Sequence, residues 1–311
     1  MRGMHSKWDL VVLSLCVVLV LMTAGAVNEL GTEEAFRQTC SRNLATLSKT
    51  MEVYSKDYED ELPMAGGREC VWGPTIPNWM ARTSTEAFGI DLRGGRGGKS
   101  TTTASFYLLV KYAEAHTPDF ACPSERATRV FTLDDAKEEL PKGFELIYAW
   151  DFGGRYDDCN NPSRHCSYAY HMPFDRKRAL TLAHDAGMAV LADRSPWIDP
   201  KRVHDADLGW DRFVEDLGHV HLGNSDAHRR EGQNVLFVDG HAAFQTRAAC
   251  GVDGDNIYTI ASSQPGPGTP KETLPQVYGS ARPAHRKDSV LVQELPYVLA
   301  EPPVFKAFPQ P

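Results

Sequence analysis

The first 58 residues contain a helical pattern without a break, and this pattern constrains how the rest of the chain can fold. Residues 10–27 form an apolar run behind a basic lead-in, and no proline occurs from Trp8 to Tyr58. The run is near the lower length limit for a helix that crosses a bilayer, and its basic flank marks the side expected to stay cytoplasmic. We therefore predict a cytoplasmic leader at residues 1–9 and a transmembrane helix at residues 10–27.

The continuation of this helix carries an apolar stripe on one face. Its members recur at steps of three and four residues, as one face of an α-helix requires. They are Phe36, Cys40, Leu44, Leu47, Met51, Tyr54 and Tyr58. We expect the stripe to pack on a globular body while the first half of the helix lies in lipid. Gly31 is the expected site of a kink, because glycine costs about 1 kcal/mol in a helix interior.

A removable export signal is the alternative to a retained anchor. Ala24-Gly25-Ala26 provides small residues just after the apolar run, where a signal peptidase would cut. Cleavage there would leave Val27 as the first residue, so chemical sequencing of the mature N-terminus separates the two interpretations.

Several short motifs beyond the apolar run resemble those of a known family. They are Arg37-Gln38-Thr39-Cys40-Ser41-Arg42-Asn43-Leu44, then Tyr54-Ser55-Lys56-Asp57-Tyr58, then Leu62-Pro63. Together with the apolar helix they resemble the opening of type IV pilin-like proteins. More narrowly, they resemble the prepilin-type processing-associated H-X9-DG proteins, which are relatives of type II secretion pseudopilins. The resemblance implies a membrane-anchored subunit that associates with filaments or with secretion components.

The densest motif lies at residues 224–240, which we call the signature segment. Strands at 233–238 and 241–246, joined by Asp239-Gly240, predict a hairpin whose two-residue turn has two positive φ angles. The same segment resembles the His-x9-Asp-Gly motif of that family, here with ten residues between His228 and Asp239. The signature residues are Asn224, Ser225, His228, Gly232, Asn234, Asp239 and Gly240.

Other segments complete an α+β fold. Strands at 167–170 and 188–193 are expected to join the hairpin in an antiparallel sheet, and residues 104–115 predict a second helix. The long N-terminal helix would pack on this sheet, in a pilin-like globular domain at residues 28–262. Half of the 20 prolines lie after residue 261, which predicts a loosely packed tail at residues 263–311 with an edge strand at 289–293.

Cysteine usage fits an exported protein. Cys16 lies in the apolar run and six cysteines follow it, a set that allows 15 disulfide pairings. Cys159 and Cys166 flank a turn, and we predict a disulfide between them.

The histidines offer an enzymatic alternative. His219, His221, His228 and His241 lie close together in sequence and could hold the zinc ion of a secreted hydrolase. Their spacing matches no closed zinc pattern, and the Gly223–Ala227 stretch around Ser225 lacks the strand–turn–helix frame of a serine nucleophile. We therefore predict no catalytic residue and no resident metal.

One acidic loop offers ligands for calcium, and the overall charge bears on nucleic acid. Asp253 and Asp255 offer carboxylate oxygens in one loop, which is the chemistry that Ca²⁺ prefers, although a polar turn is the default interpretation. The net charge of −8 without a basic cluster disfavours nucleic acid as a partner.

The sequence thus predicts a non-enzymatic structural protein of the cell envelope. It would cross the inner membrane once, place its globular domain on the periplasmic side, and contact the lipid bilayer and other pilin-like subunits or secretion components. An anchored envelope binding protein that never polymerises is a further alternative.

Overall fold

The computed structural model describes ten segments of the chain. They are residues 7–67, 70–91, 97–125, 127–136, 140–154, 161–174, 180–198, 218–261, 272–279 and 281–295. Before residue 31, only the side chains of residues 12 and 14–17 are described.

The N-terminal helix α1 spans Lys7–Asp57 and confirms the predicted continuous helix. It runs through Gly31 without a break. The middle of the predicted stripe, from Cys40 to Tyr54, is buried. Tyr58 lies partly in solvent and stacks on Tyr54, with ring centroids 4.1 Å apart. The spacing predicted that these apolar side chains would be buried on one face of the helix, and from Cys40 to Tyr54 they are.

The predicted transmembrane helix at 10–27 falls within α1, mostly at residues whose side chains are not described. Over the described residues, no helix combines the length and the apolarity needed to cross a bilayer. Residues 1–6 of the predicted leader lie outside the described residues.

A five-stranded antiparallel sheet forms the centre of the globular body. Its strands are β3 (Tyr168–His171), β4 (Ala189–Asp193), β5 (Gln233–Phe237), β6 (Ala242–Gln245) and β7 (Leu291–Val292). Their order across the sheet is β6-β5-β4-β3-β7. The structure confirms the α+β class and each predicted strand to within two residues at either end. Strands β3, β4 and β5 are buried along their whole length, and β4 is apolar up to Asp193 at its end.

Helix α1 packs across β5 and β6 and also contacts α3 (Thr102–Tyr112). The predicted second helix is α3, and Thr101 caps it by accepting a hydrogen bond from Ala104 N at 2.8 Å. The remaining regular elements are short. They are β1 (Val71–Trp72) and β2 (Lys99–Ser100), which pair in parallel, α2 (Ser84–Phe88), a helical turn at Val220–Gly223, and 3₁₀ turns at Thr117–Phe120, Leu133–Asp135, Leu146–Tyr148, Pro162–His165, Ala227–Arg230 and Val252–Gly254.

Residues 281–295 of the C-terminal segment belong to the globular body, which corrects, for these residues, the predicted loosely packed tail at 263–311. Residues 288–295 are buried, and β7 forms the sheet edge next to β3. The Glu294 carboxylate accepts hydrogen bonds from Trp72 Nε1 at 2.8 Å and from Thr102 N at 2.7 Å. A carboxylate is favoured at the first turn of α3, where backbone N–H groups lack helical partners. Residues 262–271, 280 and 296–311 are outside the described residues.

The hairpin forms as predicted, but its turn differs. Gly240 has a φ angle of +87°, whereas the φ angle of Asp239 is not positive. Gly240 N donates a hydrogen bond to Phe237 O at 2.9 Å. The loop is therefore the three-residue kind, a turn through Val238 and Asp239 closed by a left-handed glycine, rather than a two-residue turn with both φ angles positive.

Candidate functional site

The signature segment enters β5 through a left-handed turn. His228, Arg229 and Arg230 have φ angles of 52°, 58° and 62°, a conformation that costs non-glycine residues about 1–2 kcal/mol each. The Asn224 side-chain amide holds this turn to the hairpin by donating to Arg230 O at 3.1 Å and to Thr246 O at 2.9 Å. Such strain persists only where surrounding contacts stabilise it.

Two further signature residues fit the turn closely. Ser225 is buried; its N–H donates to Gln233 Oε1 and its hydroxyl accepts from Ala227 N, both at 3.3 Å. At Gly232 a Cβ atom would lie 2.3 Å from Gln245 O, so a side chain there would clash with β6. Ser225 thus has a local backbone role, and Gly232 allows the close approach of two strands.

His228 lies at the junction of four separate segments. Its Nδ1 is 2.7 Å from Glu33 Oε1 on α1, and its Nε2 is 3.4 Å from Asp193 Oδ2 at the end of β4. The Asn234 side-chain amide on β5 approaches the same Nε2 at 3.0 Å. His228 N donates to Ser124 Oγ at 3.0 Å. We call Glu33, Asp193, His228 and Asn234 the His228 junction.

The charges at the junction act on His228 itself. Burial lowers the pKa of a histidine, but the hydrogen bonds and negative charges of Asp193 and then of Glu33 outweigh it here. The pKa of His228 is therefore raised above its ordinary value, and the two carboxylates favour the imidazolium form.

A disulfide lies directly against the junction. Cys40 of α1 and Cys122 are joined with Cα atoms 5.2 Å apart, and Cys122 Sγ is 3.7 Å from His228 Nε2. The bridge spans 82 residues of sequence, which corresponds to about 4–5 kcal/mol in the loop-entropy estimate. It fastens α1 to the segment that precedes β3.

The predicted Cys159–Cys166 disulfide is wrong, because Cys166 is not bonded to another cysteine. Cys166 is a free, buried thiol whose Sγ lies 3.7 Å from Tyr168 O. Burial raises the pKa of Cys166 to about 12, so the group stays a thiol. Cys159 lies outside the described residues.

The four histidines of the zinc alternative do not come together. His219 lies just before the helical turn at Val220–Gly223 and His221 lies in it, both exposed, and His241 is exposed and contacts Asp239. Only His228 of this set is buried. Within the described ranges, the one group of side chains close enough to share a metal is Cys40, Cys122, Asp193 and His228.

The two carboxylates considered for calcium, Asp253 and Asp255, contact different partners. The Asp253 carboxylate is exposed and lies 2.9 Å from Lys287 Nζ. The Asp255 carboxylate is buried and accepts from Ser289 N at 2.7 Å. Neither belongs to a metal-type group among the residues that the structure describes.

Sequence reasoning missed Glu33 and Asp193 as site residues. Glu33 lies seven residues before Cys40, two helical turns, so the spacing that defined the apolar stripe also places this carboxylate on it. An acidic residue on an otherwise apolar face predicts a buried partner, which is the signal that could have found it. The sequence marks Asp193 only as the last residue of the strand predicted at 188–193, and no local pattern indicates its contact with His228.

No protein-family model, curated protein or solved structure matches the chain. Functional conclusions therefore rest on the geometry of the His228 junction and its surroundings.

A histidine between two carboxylates could in principle act as a general base. Here His228, Asp193 and Cys40 have no exposed surface, so a substrate has no access to them. An open groove of about 510 Å³ lies nearby between α1 and β6, lined in part by Arg37, Arg42 and Phe244. The arrangement suits a structural junction beside a groove better than a reaction centre.

Proposed function

We propose that the protein is a non-enzymatic, membrane-anchored structural protein of the cell envelope, similar to pilins and pseudopilins. The buried His228 junction carries this proposal, because His228 and Asn234 of the signature segment form contacts that hold α1 to the sheet. A helix that leaves the globular body needs such a connection if it links that body to a membrane or to neighbouring subunits.

The first half of α1 supports the proposal of an anchor. Val12, Leu15 and Val17 are each at least half exposed, and they lie within the apolar run at residues 10–27. An apolar surface of this kind needs a partner, and a lipid bilayer supplies one. We propose a single-pass inner-membrane protein with this half of α1 in lipid.

The disulfide supports the proposed location of the globular domain. Structural disulfides persist in oxidising compartments and are rare in the cytosol. Cys40–Cys122 lies on the globular side of α1, so we propose that this side faces the periplasm.

Membrane fractionation tests the anchor. The full chain should stay with membranes after alkaline extraction, and the double variant Val12→Glu, Leu15→Glu should be released. Ala35→Glu, an exposed position on the same helix outside the apolar run, is the matched control and should remain bound. Release of the unaltered protein by alkaline extraction would contradict the proposal.

The groove favours a second candidate function. Arg37 lies over the Phe244 ring at 4.5 Å and also pairs with Glu231, so the groove combines an aromatic surface with guanidinium groups. An anchored envelope binding protein could use it for a small anionic ligand. Cross-linking of intact membranes separates the candidates, because a structural subunit should yield ladders of polymers and a binding protein should yield monomers.

A further inference from the structure

Four metal-type donor atoms converge beside the His228 junction from four parts of the chain. They are the Sγ atoms of Cys40 and Cys122, a carboxylate oxygen of Asp193 and an imidazole nitrogen of His228, all within 4.8 Å of one another. Zinc bound by sulfur, nitrogen and oxygen at its usual bond lengths places neighbouring donor atoms about 3.4–3.8 Å apart. The Cys122 Sγ–His228 Nε2 and His228 Nε2–Asp193 Oδ2 distances are 3.7 and 3.4 Å.

The ring of His228 is oriented as in a metal-binding histidine. Glu33 Oε1 lies 2.7 Å from Nδ1 and accepts a hydrogen bond from it, so Nε2 faces the Cys122 sulfur, the Asp193 carboxylate and, at 3.0 Å, the Asn234 amide that a bound metal would displace. Metal-ligating histidines commonly have such a carboxylate on their second nitrogen, which fixes the tautomer and the ring. Ser124 holds Glu33 from the other side, with Oγ donating to Oε1 at 3.2 Å.

Two buried oxygen atoms at this place lack hydrogen-bond partners. Asp193 Oδ2 accepts from Asn234 N at 2.7 Å, but Asp193 Oδ1 has no donor within the described part of the chain, and neither has Asn234 Oδ1. A buried acceptor left unsatisfied costs about 1–3 kcal/mol. Asp193 Oδ1 is therefore the carboxylate oxygen free to bind a cation, while Oδ2, the oxygen nearer His228 Nε2, keeps its hydrogen bonds from Asn234.

We propose that Cys40, Cys122, Asp193 and His228 form a redox-switched zinc site. In the oxidised protein the two sulfur atoms are bonded to each other and are not available as thiolate ligands. A dithiol that supplies two electrons and two protons breaks the S–S bond, yielding two thiols here and becoming a disulfide itself. Zn²⁺ then displaces both thiol protons and, from the imidazolium form of His228, the Nε2 proton as well. The sulfur atoms separate to about 3.8 Å, the edge of a tetrahedron with Zn–S bonds of ~2.3 Å.

The switch exchanges one cross-link for another at the same place. The disulfide joins α1 to the segment before β3, and the zinc ion would join those two segments to β4 and to the left-handed turn as well. Reduction would therefore exchange a two-segment covalent bridge for a four-segment metal bridge. This inference goes beyond the proposed structural function and does not depend on membrane attachment.

Cobalt binding tests the site in the intact protein. A phosphine reductant, which becomes the phosphine oxide with an oxygen atom from water, opens the disulfide without adding competing thiols. The reduced protein should take up one equivalent of Co²⁺, with the thiolate-to-cobalt absorption and visible bands of a tetrahedral site, and Zn²⁺ should remove the colour. The oxidised protein should stay colourless, and reoxidation of the zinc form should release one equivalent of Zn²⁺.

Variants identify the ligands. Cys122→Ser should abolish the thiolate-to-cobalt band, and Glu33→Gln should weaken zinc binding about 10–100-fold, as loss of an outer partner usually does. Cys166→Ser removes a buried thiol that is not in the cluster and should bind like the unaltered protein. Because a variant that does not fold cannot report on its ligands, the melting temperature of the reduced unaltered protein is measured as well, and zinc should raise it.

The absence of the thiolate-to-cobalt band in the reduced unaltered protein, or an equal band in Cys122→Ser, would overturn the proposal. So would a reduced protein that unfolds and is not refolded by zinc. None of these results bears on membrane extraction, so the anchor proposal is tested independently of the zinc site.

Discussion

Asp255 and Asp288 place two carboxyl groups near each other in the protein interior. Asp255 accepts from Ser289 N at 2.7 Å, and Asp288 accepts from Ala261 N at 3.1 Å. Burial raises the pKa of Asp255 to about 8, and the negative charge of Asp288 adds to the shift. At least one of the two groups is therefore neutral in the folded protein at neutral pH.

This pair makes stability depend on pH. The folded pKa of Asp255 lies above its unfolded value of ~3.9, so the folded state binds more protons in between. The free energy of unfolding should consequently fall as the pH rises from about 4 to about 8. The raised pKa of His228 acts in the same direction, because its ion pairs are lost as the pH rises through that pKa.

Asp255→Asn should make the pH dependence shallower. Asparagine keeps an oxygen for Ser289 N and can donate to Asp288, but it cannot ionise. We expect a slope smaller by up to about 1.4 kcal/mol per pH unit over that range, measured by urea unfolding. Asp253→Asn, at an exposed carboxylate in the same loop, is the control and should keep the original slope. Equal slopes in both variants would show that Asp255 is ionised when folded.

At the scale of elements, the packing of α1 on the sheet can be tested on one helix. Leu47 is fully buried on the stripe, whereas Val53 is half exposed. Leu47→Asp would bury an unpaired charge and should lower the free energy of unfolding by several kcal/mol. Val53→Asp also replaces an aliphatic side chain by a carboxylate, but at a position that water reaches. It should lower the free energy of unfolding by less than about 1 kcal/mol. Similar losses in thermal unfolding would contradict the packing of the stripe.

The hairpin turn offers a second test at this scale. Gly240 has a left-handed backbone, and a Cβ there would lie 3.2 Å from Ser48 Oγ of α1. Gly240→Val should therefore cost about 1–3 kcal/mol, the range for strained backbone positions. Gly240→Asn should cost less, because asparagine tolerates this conformation better than a β-branched residue does. If the two variants had the same melting temperature, the positive φ angle of residue 240 would not be what determines the cost of the substitution.

Local periodicity predicted most of the elements but not the contacts between them. The stripe of α1, the buried strand β4 and the β5–β6 hairpin each follow from spacings within a few residues. The Cys40–Cys122 bridge joins residues 82 positions apart, so its pairing depends on how α1 lies on the sheet. Turn composition favoured Cys159–Cys166, although turn propensity does not determine which sulfur atoms meet.

The site was predicted in part for the same reason. The signature segment was recognised from its own residues, and the positive φ of Gly240 was expected. The partners of His228 lie on α1 and on β4, far away in sequence, and the left-handed turn that aims its ring has no glycine to mark it. The buried role of His228 therefore follows from the tertiary structure alone.

Across the whole molecule, the His228 junction adds a buried polar connection where α1 packs on the sheet, alongside the Cys40–Cys122 bridge and the Arg37–Glu231 ion pair. Glu33 brings α1, Asp193 brings β4, and Asn234 brings β5 and its hairpin to one imidazole. Removing one partner of such a buried group typically costs about 3–5 kcal/mol, because the remaining charges stay buried and unpaired. Removing His228 should therefore loosen α1 from the body as well as destabilise the turn.

The most direct test of this structural role is a double-mutant cycle between Glu33 and His228, measured by equilibrium unfolding of Glu33→Gln, His228→Gln and the double variant. Because the two side chains form a buried, charge-assisted hydrogen bond, we predict a coupling free energy of about 1.5–3 kcal/mol. The matched cycle uses Glu34→Gln, an exposed neighbour on the same helix that contacts Gln38, and it should be additive within ~0.5 kcal/mol. Additivity of the Glu33 and His228 changes to within the same margin would contradict the account, since His228 would then not be what fastens α1 to the sheet.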